Sequence, residues 1–268
     1  MARKKVGLVL GSGSSRGLAH IGVIKVLEKH NIPIDYIVGA SFGGIIAGTY
    51  GLHGSIGDVE EFTLRMNRRK LLSYVDLANP KNSFLKGDKI KEMLKSFVGN
   101  KKITDTKIPI EIVATDFNSG KEKVFRGGKL LDAMLASSCV PGFFYPYKIG
   151  KKLYIDGGVV DPTPFTVAQA RGMDVIIAVD LTTRPHKKLE NPGIVDVLSR
   201  TYEIFRSSTI DLSLKNYNAH KQKEELIILR PKVDGNVAYH KASENIKKGE
   251  SETSRHIRKI KNSLGIKD

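Results

Sequence analysis

The chain has one cysteine, Cys139, and no tryptophan. A lone cysteine excludes an intrachain disulfide and fits a reducing compartment. Aromatic residues make up only 7% of the sequence. Without tryptophan among them, the stacking platform of single-strand binders is missing, so nucleic acid is not an expected partner. No stretch approaches the roughly 18 consecutive apolar residues of a spanning helix. The N-terminus runs Met1-Ala2-Arg3-Lys4-Lys5, a short apolar run from Val6 to Leu10, and then glycines. It lacks the longer apolar region and small-residue cleavage site of a signal peptide. No group of His, Cys or acidic residues has metal-ligand spacing, and no cofactor is expected. Acidic residues are scarce beside basic ones, 28 against 44, a formal net charge of +16. Such a chain is attracted to polyanions, among them anionic lipid surfaces. The expectation is a cytoplasmic protein with peripheral contact at the inner membrane surface.

The 268 residues, 40% of them hydrophobic, suffice for one sizeable core and a small appendage. Lys4 to Leu10 reads as a buried strand, Gly11 to Gly17 as a glycine–serine loop, and Leu18 to His30 as a helix ended by Asn31 and Pro33. Tyr36 to Val38 is a second short strand, and Phe42 to Leu52 a small-residue helix. Strands alternating with helices predict a parallel sheet covered on both faces, with catalytic loops at the carboxyl ends of its strands. Further helices are predicted over Asp58–Lys70, Asp88–Phe97 and Leu130–Ala136, and strands over Ile108–Thr115, Lys152–Ile155 and Asp174–Val179. Beyond Thr183 the composition turns basic. One or two amphipathic helices over Ile194–Lys221, a strand at Glu225–Leu229 and a basic helix at Arg255–Leu264 are expected there.

Three constellations could carry chemistry. Gly39-Ala40-Ser41-Phe42-Gly43 is a G-x-S-x-G pentapeptide between a strand and a helix. That context suits a nucleophile elbow, in which a tight turn lifts the serine hydroxyl clear of the sheet above a helix N-terminus. Gly11-Ser12-Gly13-Ser14-Ser15-Arg16-Gly17 also joins a strand to a helix. Its successive amides can line an anion-binding nest, which in acyl transfer would receive the oxyanion. Arg16 could hold the loop or attract an anionic substrate. Asp156-Gly157-Gly158 ends a strand; the aspartate there could act as a base, or Asp-Gly could form an ordinary turn. An unperturbed aspartate, with a pKa near ~3.9, is a weak base at neutral pH, so burial and close contact with Ser41 would have to compensate.

Rival readings use the same residues. Gly11 and Gly13 begin a dinucleotide fingerprint, but Arg16 takes the third glycine position, Gly17 comes one residue late, and Asp35 would have to serve as the ribose acid. A conventional triad would draw its histidine from His186, His220, His240 or His256, all in the polar basic tail. His20 and His30 read as helical surface or packing residues, and Cys139 as a buried small residue. A membrane-associated regulatory or scaffold protein, drawn to lipid by basic segments at Arg184–Lys188 and Arg255–Lys261, is the alternative from another class.

Taken in order, the three elements resemble the patatin-like phospholipases. The glycine loop with Leu18-Ala19-His20-Ile21-Gly22-Val23, the serine elbow from Gly39 to Gly43, the run from Ala136 to Tyr145 with Pro141-Gly142-Phe143-Phe144, and Asp156-Gly157-Gly158 carry the resemblance. The resemblance implies a three-layer α/β/α sandwich around a mainly parallel central sheet, over residues 5–182. Residues 183–268 then form a basic, mostly helical extension packed on the same domain. It implies a Ser–Asp dyad acting on acyl esters of lipids, with Ser41 as nucleophile and Asp156 as base. The amides around Gly13, Ser14 and Ser15 would form the oxyanion hole, supported by Arg16. Serines at positions 12 and 14 depart from the family's frequent triple glycine, as in a bacterial and archaeal branch. Asp161 and Pro162 stand where asparagines are common.

Overall fold

The computed structural model describes residues 3–65, 87–184, 190–233 and 242–266. Among these, eight strands form one sheet. They are β1 (Val6–Leu10), β2 (Tyr36–Ala40), β3 (Ile110–Asp116), β4 (Glu122–Phe125), β5 (Tyr147–Ile149), β6 (Lys152–Asp156), β7 (Val175–Val179) and β8 (Glu225–Leu229). The sheet order is β5-β6-β3-β2-β1-β7-β8, with β4 also paired to β3. Strands β3, β2, β1, β7 and β8 run parallel, whereas β4 and β6 pair with β3 antiparallel.

Every residue of β1, β2 and β7 is buried, as expected of a parallel sheet covered on both faces. Alternate side chains divide between two cores. Leu8, Leu10, Ile37, Ile112 and Ile177 face a layer of helices α1 (Ala19–Lys29), α2 (Phe42–His53), α3 (Ile56–Arg65), α4 (Asp88–Val98), α5 (Leu130–Ser137) and α8 (Ala242–Leu264). Val9, Val38, Ala40, Val113 and Ile176 face α6 (Phe165–Ala170) and α7 (Ile194–Asn218). The result is the α/β/α sandwich.

Three expectations change. The glycine loop tightens into a 3-10 turn over Ser14–Leu18. The final helix starts earlier than Arg255, at Ala242, while Ile194–Asn218 is a single helix, α7, within the one or two expected. The strand ending at Asp156 is antiparallel, so it does not deliver its aspartate from the carboxyl edge as the neighbouring strands would. The distal part of the helix expected over Asp58–Lys70, the region around Pro80, His186, His240 and the basic residues 187–188 lie outside the described residues. No helix among the described residues is long and apolar enough to cross a membrane.

Candidate active site

The turn at Ser41 is set by its flanks. Ser41 has φ 55° and ψ −126°, a positive-φ conformation that a non-glycine residue adopts at a cost of about 1–3 kcal/mol. A Cβ on Gly39 would strike the Gly43 carbonyl, and one on Gly43 would strike the Leu10 carbonyl. Only glycine at both positions lets the chain reverse this tightly over β1. Helix α2 begins at the next residue, so its positive N-terminal end lies under Ser41.

A second device holds the turn. In the β2–β3 ladder the amide of Ile37 donates to Pro109 O at 3.0 Å. Two residues per rung would take Ser41 N to Val113 O. The Ser137 hydroxyl is inserted there instead. It accepts from Ser41 N at 2.7 Å and donates to Val113 O at 2.6 Å. The last rung is thereby bridged by a buried side chain of α5, and Ser41 is free to leave the sheet.

Asp156 reaches Ser41 because two strands share one edge of β3. Pro109 O accepts from β2, and the Phe117 amide donates to Leu153 of β6 at 2.9 Å. These positions have the same parity, so both face one edge. The Asp116 amide faces the other, towards Lys121. Strand β2 ends with Ala40 opposite Val113, and β6 arrives from the opposite direction with Asp156 opposite Ala114. The two strands meet end to end. Across that junction Ser41 Oγ donates to Asp156 Oδ2 at 2.5 Å.

Asp156 is fully buried. Burial pushes its carboxyl above the usual range, while bonds from Ser41, Gly158 and Tyr202 and the nearby Arg206 charge pull it back. Its Oδ1 accepts from Gly158 N at 2.7 Å and Tyr202 OH at 2.8 Å. A Cβ on Gly157 would collide with Val113 O, so the Asp-Gly-Gly turn packs tightly into the same junction.

The glycine loop lies alongside. Gly11 N and Ser12 N are tied to Val179 O and Pro162 O at 3.0 and 2.7 Å, and Gly11 O meets His20 Nε2 at 2.8 Å. Among the described residues, no backbone acceptor is found for the amides of Gly13 and Ser14. Gly17 packs against the Phe42 ring. Arg16 is buried, bonded to Glu203 at 3.0 Å and Thr183 at 2.9 Å, so it holds the loop rather than reaching outward.

Tyr202, Glu203 and Arg206 were not expected at the site. All three stand on α7, which crosses the site with one polar face inward. Arg206 is buried, donates to Ser12 O, and its guanidinium lies 5.6 Å from the Tyr202 ring centroid. The signal in the sequence is faint: a tyrosine and an arginine four apart, beside an apolar stripe. An apolar pocket also begins at the residue after Ser41. Phe42, Ile45, Ile46 and Thr49 of α2 line it with Val59 and Phe62 of α3 and Met93 of α4.

The rival residues are engaged elsewhere. Asp35 binds Arg3 and the Val6 amide at the amino end of β1, the far end from the glycine loop. Among the described residues, no histidine bonds to Ser41 or Asp156. His20 meets Gly11 O, His53 meets Phe97 O, His220 meets Asn216 O at the end of α7, and His256 meets Glu252 O of its own helix. Burial pushes the Cys139 thiol up to about 12, which leaves it inert.

Residues 8–168 match the model of the patatin-like phospholipases. The chain belongs to the patatin-like phospholipase family. This patatin-like chain is 34% identical over 177 residues to an NTE family protein of Mycobacterium tuberculosis, covering 66% of the chain and 49% of that relative. It is 31% identical over 211 residues to the lysophospholipase NTE1 of Debaryomyces hansenii, covering 76% of the chain and 13% of that protein. It thus spans about half the length of the mycobacterial relative and far less of the yeast one. Among solved structures, VipD from Legionella pneumophila superposes with a TM-score of 0.49 at 12% identity, over 96% of this chain and 67% of that one. The patatin-like match contains the glycine loop, Ser41, Ser137 and Asp156, and ends before Tyr202 and Arg206.

Proposed function

We propose that the protein is a serine acyl hydrolase that cleaves acyl esters of lipids through an acyl-enzyme on Ser41, with Asp156 as the base. The observation that carries this reading is the 2.5 Å bond from Ser41 Oγ to Asp156 Oδ2. Ser41 Oγ attacks the ester carbonyl while its proton passes to Asp156. The oxyanion is received by the amides of Gly13 and Ser14, which have no backbone acceptor among the described residues, together with that of Ser15. Collapse of the tetrahedral intermediate returns the proton to the leaving alcohol. Water then attacks the acyl-enzyme, giving its proton to Asp156, and the fatty acid departs as Ser41 regains its proton. A base raised by burial sits closer to the working pH than a free aspartate, which favours proton transfer. The acyl chain would lie along α2 in the pocket that starts at Phe42.

The lipid assignment rests on the family and on the name of the yeast relative. A lysophospholipid is accordingly the first substrate to assay, beside an activated p-nitrophenyl ester. Ser41→Ala and Asp156→Asn should each lower turnover of both by roughly a thousandfold or more. Full activity in either variant would refute the dyad.

The same reading has the enzyme work at an anionic lipid surface. The net charge of +16 favours it. So do the apolar residues of α7 that face outward, Ile194, Val197, Leu198, Ile204, Phe205 and Leu212, all of them exposed. Sedimentation with anionic vesicles at low salt, lost at high salt, is the expected result; equal binding to neutral vesicles would count against it.

A further inference from the structure

We propose that Tyr202 is a positioning residue of the reaction: its hydroxyl fixes the Asp156 carboxylate so that Oδ2 faces Ser41. The proposal rests on the Ser41–Asp156 reading and extends it to a helix beyond the family match.

A carboxylate has two oxygens and can rotate about its last bond, presenting either to a donor. In this site the oxygens divide their work. Oδ2 takes the Ser41 hydroxyl at 2.5 Å, and Oδ1 takes Gly158 N at 2.7 Å and Tyr202 OH at 2.8 Å. The Gly158 bond is local, made by a cap on its own turn, and would follow the carboxylate as it moves. Tyr202 comes from a separate layer of the fold. With donors from two directions, Oδ1 is saturated and the group is locked.

Tyr202 can do this because it is itself held. Its ring lies against the Arg206 guanidinium, and Arg206 and Glu203 tie α7 to the glycine loop through Ser12 O and Arg16. The Tyr202 hydroxyl is pushed well above its ordinary range by burial and by the Asp156 charge. It therefore remains a donor throughout the working pH range and does not itself titrate.

The groups facing Asp156 are few. Ser41 stands at the start of α2, and the Gly158 amide on the adjoining turn. Thr115 of β3 donates to the Asp156 carbonyl at 2.8 Å, and Cys139 O accepts from its amide at 2.9 Å. Tyr202 and Arg206 come from α7, with Arg16 behind them. Among the described residues facing it, only the two arginines carry charge; the Cys139 thiol, pushed up to about 12, is neutral. Loss of the Tyr202 hydroxyl would remove a donor to the ionised carboxylate. The Asp156 pKa then rises, and the acid limb of kcat/KM moves to higher pH.

The test is the pH profile of kcat/KM on an activated acyl ester. It is measured for the wild type, for Tyr202→Phe, and for the protein carrying 3-fluorotyrosine at position 202 alone. In Tyr202→Phe the acid limb should rise by about one pH unit or more, with KM little changed and activity recovering at alkaline pH. The fluorinated phenol, a stronger donor, should move the limb down. An unmoved limb in Tyr202→Phe overturns the proposal, whether activity is kept or lowered equally at every pH. If Tyr202→Phe does not fold, the fluorotyrosine profile decides, and an unmoved limb there overturns the proposal as well. The parent reading fails separately: full activity of Asp156→Asn removes the dyad whatever the Tyr202 profiles do.

Discussion

Removal of the Ser137 hydroxyl tests how the nucleophile is held. In Ser137→Ala the Ser41 amide loses its acceptor at 2.7 Å and the Val113 carbonyl loses its donor at 2.6 Å. Both groups lie in a buried junction, and the methyl group cannot replace either bond. An unsatisfied buried polar group costs about 1–3 kcal/mol, so the pair should cost about 2–6 kcal/mol. For a domain of this size that is a fall in Tm of roughly 4–24 °C. The effect on catalysis should be separable. Ser41 is held at positive φ by the structure around it, and a nucleophile displaced by a fraction of an ångström loses rate steeply. We expect kcat to fall about 10- to 100-fold with KM nearly unchanged. Thermal unfolding and steady-state kinetics on the same preparation read both quantities. Wild-type Tm together with wild-type kcat would refute the bridge as the element that anchors Ser41.

Other perturbations follow from neighbouring features. Ile45→Trp fills the apolar pocket beside Phe42, so kcat/KM on an octanoate ester should fall about tenfold while that on an acetate ester holds; equal falls on both would remove the acyl chain from this pocket. His20 is fully buried, and burial lowers its pKa to about 4. The unfolded chain therefore binds more protons between about pH 6.5 and 4, and stability present above pH 6.5 is lost as pH falls towards 4, by about 3 kcal/mol. Urea midpoints across that range should flatten in His20→Gln, and an unchanged slope would contradict the assignment. Glu203→Gln leaves the buried Arg16 with a neutral partner; kcat should fall several-fold through the loosened glycine loop, whereas an exposed control, Glu244→Gln, should leave it unchanged.

Much of the sheet was readable from sequence because β1, β2 and β7 are buried on both faces and so are unbroken apolar runs. The turn at Ser41 was readable because its backbone leaves room only for glycine at 39 and 43. The meeting of Ser41 with Asp156 was expected at one sheet edge, yet the route is different. Strand β6 runs antiparallel and abuts β2 end to end, and no local pattern in Lys152–Asp156 encodes its direction. Ser137, Tyr202 and Arg206 were missed for a related reason. Each acts through a contact between distant segments, and neither spacing nor composition marks it. Helix α7 shows the limit of periodicity most clearly. The recurrence of Ile194, Leu198, Phe205 and Leu212 defines a face, but it does not say which way the face turns. In the fold it turns outward, and the polar face carries the residues that touch the site.

The Ser41–Asp156 pair is tested most directly by mapping the covalent adduct left by an alkyl fluorophosphonate. Mass spectrometry of the digested protein should find the phosphonyl group on Ser41 alone, formed quickly in the wild type and at a rate lower by several orders of magnitude in Asp156→Asn. An adduct on another residue, no adduct at all, or undiminished labelling of Asp156→Asn would contradict it.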